Sequence, residues 1–334
     1  MHDIQPQQIK HRADWQLELA DAITSASELL HQLGLDHLDE AVSRASGFPM
    51  LVPRAFVSKM QKGNADDPLL KQVLPVALEH DPRGYTDPLG ELNAMTAPGL
   101  LHKYQRRVLL LTTGACAVHC RYCFRRHFPY ANAKPRRSAW QRAVEYLSRH
   151  ADIDEVILSG GDPLVLDNER LGQLFAALEP VPHLKWLRIH TRLPVVLPSR
   201  IDDELTASLS ELRFRTMVVI HANHANELAT AEADALRRLA TRGITLLNQS
   251  VLLRGINDSA AALTALSKRL YENGVLPYYL HMLDPVQGAM HFEVPQQRAV
   301  RILNEMKAAL PGYLVPRLVR EVEGETSKTA IFTI

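Results

Sequence analysis

The chain has 334 residues, 46% hydrophobic and 22% charged, a globular balance with enough length to bury a large core. Its 38 basic and 37 acidic side chains leave a formal charge of +1, so no broad positive field invites nucleic acid. No stretch approaches the ~20 apolar residues that span a bilayer, and the opening Met-His-Asp-Ile-Gln-Pro has no signal-type apolar run; a cytoplasmic protein with neither nucleic-acid nor membrane partner is expected.

Residues 1–100 read as a helical N-terminal region that wraps onto the main domain. A helical stretch around Trp15 to Leu33 gives way to turn-rich text such as Gly63-Asn64-Ala65-Asp66-Asp67-Pro68. From Val108 strands and helices alternate. Candidate strands are Val108–Thr112, Glu155–Leu158, Leu184–His190, Thr216–His221, Thr245–Leu253 and Leu276–Met282. Between them, Trp140, Ala143, Val144 and Leu147 share one helical face, as do Leu171, Leu174, Phe175 and Leu178. About six βα units favour an α/β fold with a parallel sheet curled into a partial TIM-type barrel over residues 101–290. Residues 291–334 add a C-terminal helix and a short final segment, all within one compact unit. An open doubly wound sheet is the competing architecture. Either one places catalytic groups at the carboxyl ends of the strands.

All three cysteines fall in Cys116-Ala-Val-His-Cys120-Arg-Tyr-Cys123, directly after the first of these strands. An odd, clustered set does not suit a disulfide framework and reads as thiolates for a metal. Three thiolates can bind three irons of a [4Fe–4S] cube and leave the fourth open to a small chelating molecule. The alternative is a structural zinc site completed by His119 or His127, although zinc sites of that kind usually draw a second ligand pair from elsewhere in the chain. After the next strand, Ser159-Gly160-Gly161-Asp162-Pro163 places two glycines where backbone can approach a ligand closely; an ordinary βα turn would look the same.

The C-x₃-C-x₂-C spacing with Tyr122 before the third cysteine resembles the radical S-adenosylmethionine (SAM) superfamily. That resemblance implies SAM on the open iron, reductive cleavage to a 5′-deoxyadenosyl radical, an external electron donor, and SAM contacts from Tyr122, Ser159, Gly160, Gly161 and Asp162. Val108 through Phe128, Ser159 to Leu164, Leu193 to Pro198, Asn248 through Asp258 and Gly312 to Pro316 further resemble the lysine 2,3-aminomutase family. This second resemblance implies pyridoxal 5′-phosphate (PLP) as a third cofactor and an isomerase that moves the α-amino group of L-lysine to the β-carbon. Lys328 matches the lysine that carries PLP as an imine; here Gly324-Glu325-Thr326-Ser327 and Ala330 depart from the family's flanking pattern. Lys103, Tyr104 and Arg107 match positions near that cofactor, where positive charge and donors suit its phosphate. Apart from the resemblance, Lys328 would read as a solvated tail and the other three as a basic rim.

Arg125 matches the arginine for the substrate carboxylate, with Arg126 and His127 as neighbours. Asp258 and Glu321 match the acids for the substrate ammonium, Glu321 one methylene longer than the family's aspartate. Asp258 could equally cap a helix that starts near Ser259. The polar run His221-Ala-Asn223-His224-Ala-Asn226-Glu227 ends a strand and should place one side chain near SAM. Length and the text around Val52-Pro53-Arg54 resemble the bacterial subgroup that makes (R)-β-lysine, which a separate ligase attaches to elongation factor P. A catabolic aminomutase, expected to have a longer C-terminal tail, a glutamate 2,3-aminomutase, expected to have cations at positions 258 and 321, and a zinc-stabilised binding module are the alternatives.

Overall fold

A computed structural model describes residues 13–42, 47–133 and 137–332. Its centre is a single ten-stranded sheet whose spatial order follows the chain: β1 (Met95–Ala97), β2 (Leu100–Tyr104), β3 (Arg107–Thr113), β4 (Glu155–Gly160), β5 (Trp186–Thr191), β6 (Arg215–Ile220), β7 (Thr245–Val251), β8 (Leu276–His281), β9 (Arg317–Arg320) and β10 (Thr329–Ala330). Strands β3 to β9 pair in parallel. The flanking pairs β1–β2, β2–β3 and β9–β10 are antiparallel. Among the described residues no pairing joins β1 to β10, so the curled sheet stays open, as expected of a partial barrel.

The six strands expected from the sequence all form. A seventh parallel strand, β9, escapes the pattern because Arg317 and Arg320 bracket only two buried residues, Leu318 and Val319. Strand β1 also lies within the first hundred residues, so that region is not helical throughout. The helix expected around Trp15 to Leu33 is two helices, Asp14–Ala20 and Ala26–Leu33. Between them Ile23 forms an antiparallel bridge with Val52, and Ser25 caps the second helix by accepting from the Glu28 N–H.

Helices between the strands cover the sheet by the faces read from the sequence. Trp140, Ala143 and Leu147 are buried, and Val144 packs beside them. Asp167 caps the helix Asn168–Leu178, which buries Leu171, Leu174, Phe175 and Leu178. Burying those four side chains contributes roughly 6–12 kcal/mol before conformational entropy is subtracted. One apolar core runs from Trp15 and Ile23 to Leu270 and Val275, joining the N-terminal residues to the barrel. A second lies beneath the helix Gln296–Ala309. No described helix is long and apolar enough to cross a membrane. Parallel strands bring the loops after β3, β4, β5 and β6 to one mouth.

Candidate active site

A cavity of about 500 Å³ opens at that mouth. Cys116, Cys120, Cys123, Lys103, Tyr104, Arg107, Tyr122, Arg125, Ser159, Gly160, Gly161, Asp162, Glu321 and Lys328 all line it.

Asp258 does not line the cavity, contrary to the reading from sequence. Its carboxylate accepts the Gly255 N–H at 2.9 Å and pairs with Arg298 at 3.1 Å. The helix Ala260–Glu272 is capped by Ser259, one residue later. An acid that does line the cavity and bears on Glu321 is Asp284, just beyond the carboxyl end of β8. Burial, followed by the negative charge of Glu321, raises its carboxyl to about 7.

The cysteine loop is held against the end of β4 by two glycines. Gly161 donates to the Thr113 carbonyl and Asp162 to the Ala115 carbonyl, both at 2.8 Å. A Cβ on Gly161 would stand 2.0 Å from the Ala115 oxygen. Gly160 has φ +128°, and a Cβ there would meet the Thr113 oxygen at 2.4 Å. Glycine is therefore needed first to let the cysteine loop approach. Burial raises the Cys116 thiol well above its ordinary value and the Cys123 thiol to about 11. Thiols in such surroundings become thiolates only with a compensating cation, which a metal centre supplies. Among the described residues no three His, Cys, Asp or Glu side chains converge on one ion position. His119 Nδ1 instead contacts the Pro49 carbonyl at 3.2 Å, and His127 Nε2 contacts the Gln287 carbonyl at 3.0 Å.

Beside the cysteines lies a buried polar network with little local sequence signal. Arg192, one residue past β5, donates to Cys120 Sγ at 2.7 Å, Gln72 Oε1 at 2.6 Å and Glu227 Oε2 at 2.9 Å. Asp162 accepts the Arg192 backbone N–H and the Thr191 hydroxyl, both at 2.7 Å. Burial nonetheless raises the Asp162 carboxyl to about 6. Tyr122 stacks on His221, and its hydroxyl accepts from the Asn223 amide at 2.7 Å. Burial pushes His221 down to about 3, leaving a neutral ring on the cavity wall. Of the loop after β6, His221 lines the cavity while buried Asn223 and Glu227 hold the network together.

The other end is charged. Lys103 and Lys328 each reach Glu321 at 3.0 Å. Burial would raise the Glu321 carboxyl, but the two lysines hold it far below the usual carboxylate range. Arg107 lies over the Tyr104 ring at 4.6 Å. Arg125 makes a two-pronged ion pair with Glu91, at 2.6 and 2.8 Å, and donates to Ser159 Oγ at 2.9 Å. Its neighbour Arg126 instead joins Arg121 on buried Glu79. Among the described residues three cavity-lining ring or guanidinium nitrogens, Arg126 Nε, His190 Nε2 and Arg192 Nε, are buried with no partner. Orphans of this kind mark space for a bound polar group.

The chain's similarities agree with this geometry. A profile of the radical SAM superfamily matches residues 110–265. The chain is 48% identical over 325 residues to the L-lysine 2,3-aminomutase of Escherichia coli strain K12, spanning 96% of this chain and 95% of that one. It is 46% identical to the enzyme of the same name from Haemophilus influenzae, spanning 96% of each. Identity to the L-lysine 2,3-aminomutase of Clostridium subterminale is 33%, over 95% of this chain and 77% of that one.

Proposed function

The chain belongs to the L-lysine 2,3-aminomutase family of radical SAM isomerases, and from that premise we propose that it is a PLP-dependent enzyme that converts L-lysine to (R)-β-lysine for attachment to elongation factor P. The family's cofactors are a [4Fe–4S] cluster, SAM and PLP; bound together, they supply a radical at the substrate β-carbon and a π system across which nitrogen can migrate. The protein's own part is to bind, orient and exclude water.

In this reading Cys116, Cys120 and Cys123 hold the cluster on a loop braced by Gly160 and Gly161. Tyr122 and the Ser159–Asp162 turn border the SAM pocket. Lys103, Tyr104 and Arg107 offer charge and donors to the PLP phosphate, and Lys328 Nζ is its covalent anchor. Arg125 takes the substrate carboxylate, its plane fixed by Glu91, Ser159 and the Gly160 carbonyl. Asp284, in place of Asp258, joins Glu321 to receive the side-chain ammonium.

The observation that carries the reading is the pair of acids, Asp284 and Glu321, in the same cavity as Arg125 and the three cysteines. In this reading PLP takes up Lys328, and two acids with a separate guanidinium in one cavity then suit a substrate with a carboxylate and a distal cation. They oppose glutamate, whose side-chain carboxylate would meet two acids. The elongation factor P assignment rests on the subgroup resemblance of the text around Val52-Pro53-Arg54, and a one-electron donor is required as a further partner.

The test is anaerobic incubation with L-lysine, SAM, PLP and dithionite, followed by chiral analysis and by offering the product to elongation factor P and its ligase. Formation of (R)-β-lysine that is attached supports the proposal. β-Lysine that the ligase refuses would point to a catabolic role, and turnover of glutamate but not lysine would overturn the substrate.

A further inference from the structure

Arg192 touches a cysteine sulfur directly, and nothing in the roles above uses it. We propose that Arg192 is a positioning residue that tunes the iron–sulfur centre, its Nη1–H donating to the Cys120 thiolate and thereby raising the reduction potential. The inference rests on the three cysteines being the cluster ligands. Reduction adds one electron and so one negative charge to the centre. A donor hydrogen bond to a ligand sulfur stabilises the reduced form more than the oxidised form.

The geometry is that of a fixed donor rather than a mobile surface arginine. Nη1 lies 2.7 Å from Cys120 Sγ. Nη2 is held by Gln72 and Glu227, and the guanidinium lies 5.3 and 5.7 Å from the Phe56 and Tyr122 ring centres. The backbone of the same residue is tied to Asp162. Gln72 also fixes the acceptor side, because its backbone carbonyl receives the backbone N–H of Arg121, the residue after Cys120. One network therefore sets the positions of both the donor and the sulfur. Glu227 is fully buried and offsets the arginine's charge. The net local charge is then small, and the hydrogen bond is the main lever on the potential.

Arg192→Met alone would leave Glu227 buried and unpaired, so the double variant Arg192→Met/Glu227→Gln removes the ion pair as a unit. Arg192→Lys keeps charge and a donor. Each is reconstituted anaerobically, checked for four irons and four sulfides per chain, and titrated by electron paramagnetic resonance against redox mediators. The expected result is a cluster in all three proteins. The double variant should lower the reduction equilibrium constant at least tenfold, 59 mV for one electron, with altered g-values, and the lysine variant should shift less. A cluster-loaded double variant with the wild-type potential would overturn the proposal. So would loss of the cluster from both the lysine and double variants, which would make Arg192 a strut. Wild-type protein without a cluster fails differently, because it removes the functional reading itself.

Discussion

Replacing Asp284 by asparagine keeps the side chain's shape but removes one of the two acids proposed to hold the substrate ammonium. Truncating one partner of a buried charge pair costs about 2–5 kcal/mol. Glu321 remains and keeps part of the attraction, which places the loss near 2–3 kcal/mol, a roughly 30- to 150-fold rise in the KM for lysine. The direction of the pH effect follows from the raised carboxyl. In the folded chain Asp284 holds its proton up to about 7, against 3.8 when unfolded. Its contribution to stability is therefore greatest below about pH 3.8 and is lost as pH rises through about 7, by at most roughly 4 kcal/mol. The asparagine variant should thus melt no lower than wild type at pH 8, so weaker turnover cannot be ascribed to unfolding. A bound cation needs the ionised form, so wild-type lysine affinity should fall up to tenfold per pH unit below about 7, and the variant should lack that dependence. Initial rates of β-lysine formation across pH 6–8.5 provide the assay. A KM within threefold of wild type, with the same pH slope, would refute the reasoning.

Other substitutions probe separate parts of the molecule. Asp258→Asn should leave the KM for lysine unchanged and cost under about 1 kcal/mol in a melt, because among the described residues Asp258 serves a turn and a half-exposed ion pair with Arg298. Borohydride trapping of PLP followed by peptide mapping should label Lys328, and Lys328→Ala should abolish the label; a label at Lys103 would reassign the anchor. Gly161→Ala drives a methyl into the Ala115 carbonyl, so it should cost at least about 1–3 kcal/mol and sharply lower the iron bound after reconstitution. Iron content equal to wild type would show that the loop can retreat.

Much of the fold was legible because strands such as β4 and β6 carry buried apolar runs that end at polar loops, and helices such as Asn168–Leu178 bury one stripe. What escaped was short or charged. Strand β9 has two buried residues between arginines, and β1 is three residues long. The cysteines and the glycine pair carry their chemistry in local spacing, so they were found. Asp258 was mistaken for a cavity acid because a local motif surrounds it, whereas Asp284 has only its place after β8 to mark it. That place was a usable signal: an acid flanked by Leu283 and Pro285 at a carboxyl strand end belongs to the mouth of a barrel. Glu91 and Gln72 had no such signal, since only closure of the fold brings them to Arg125 and Arg192.

The central claim is that three cysteines carry a cube with one iron free for SAM. Electron paramagnetic resonance of the anaerobically reconstituted, dithionite-reduced protein, recorded before and after SAM is added, tests it most directly. The expected result is a [4Fe–4S]⁺ signal that SAM reshapes and that vanishes when any of Cys116, Cys120 or Cys123 becomes alanine. Zinc without sulfide, or an iron signal indifferent to SAM, would contradict it.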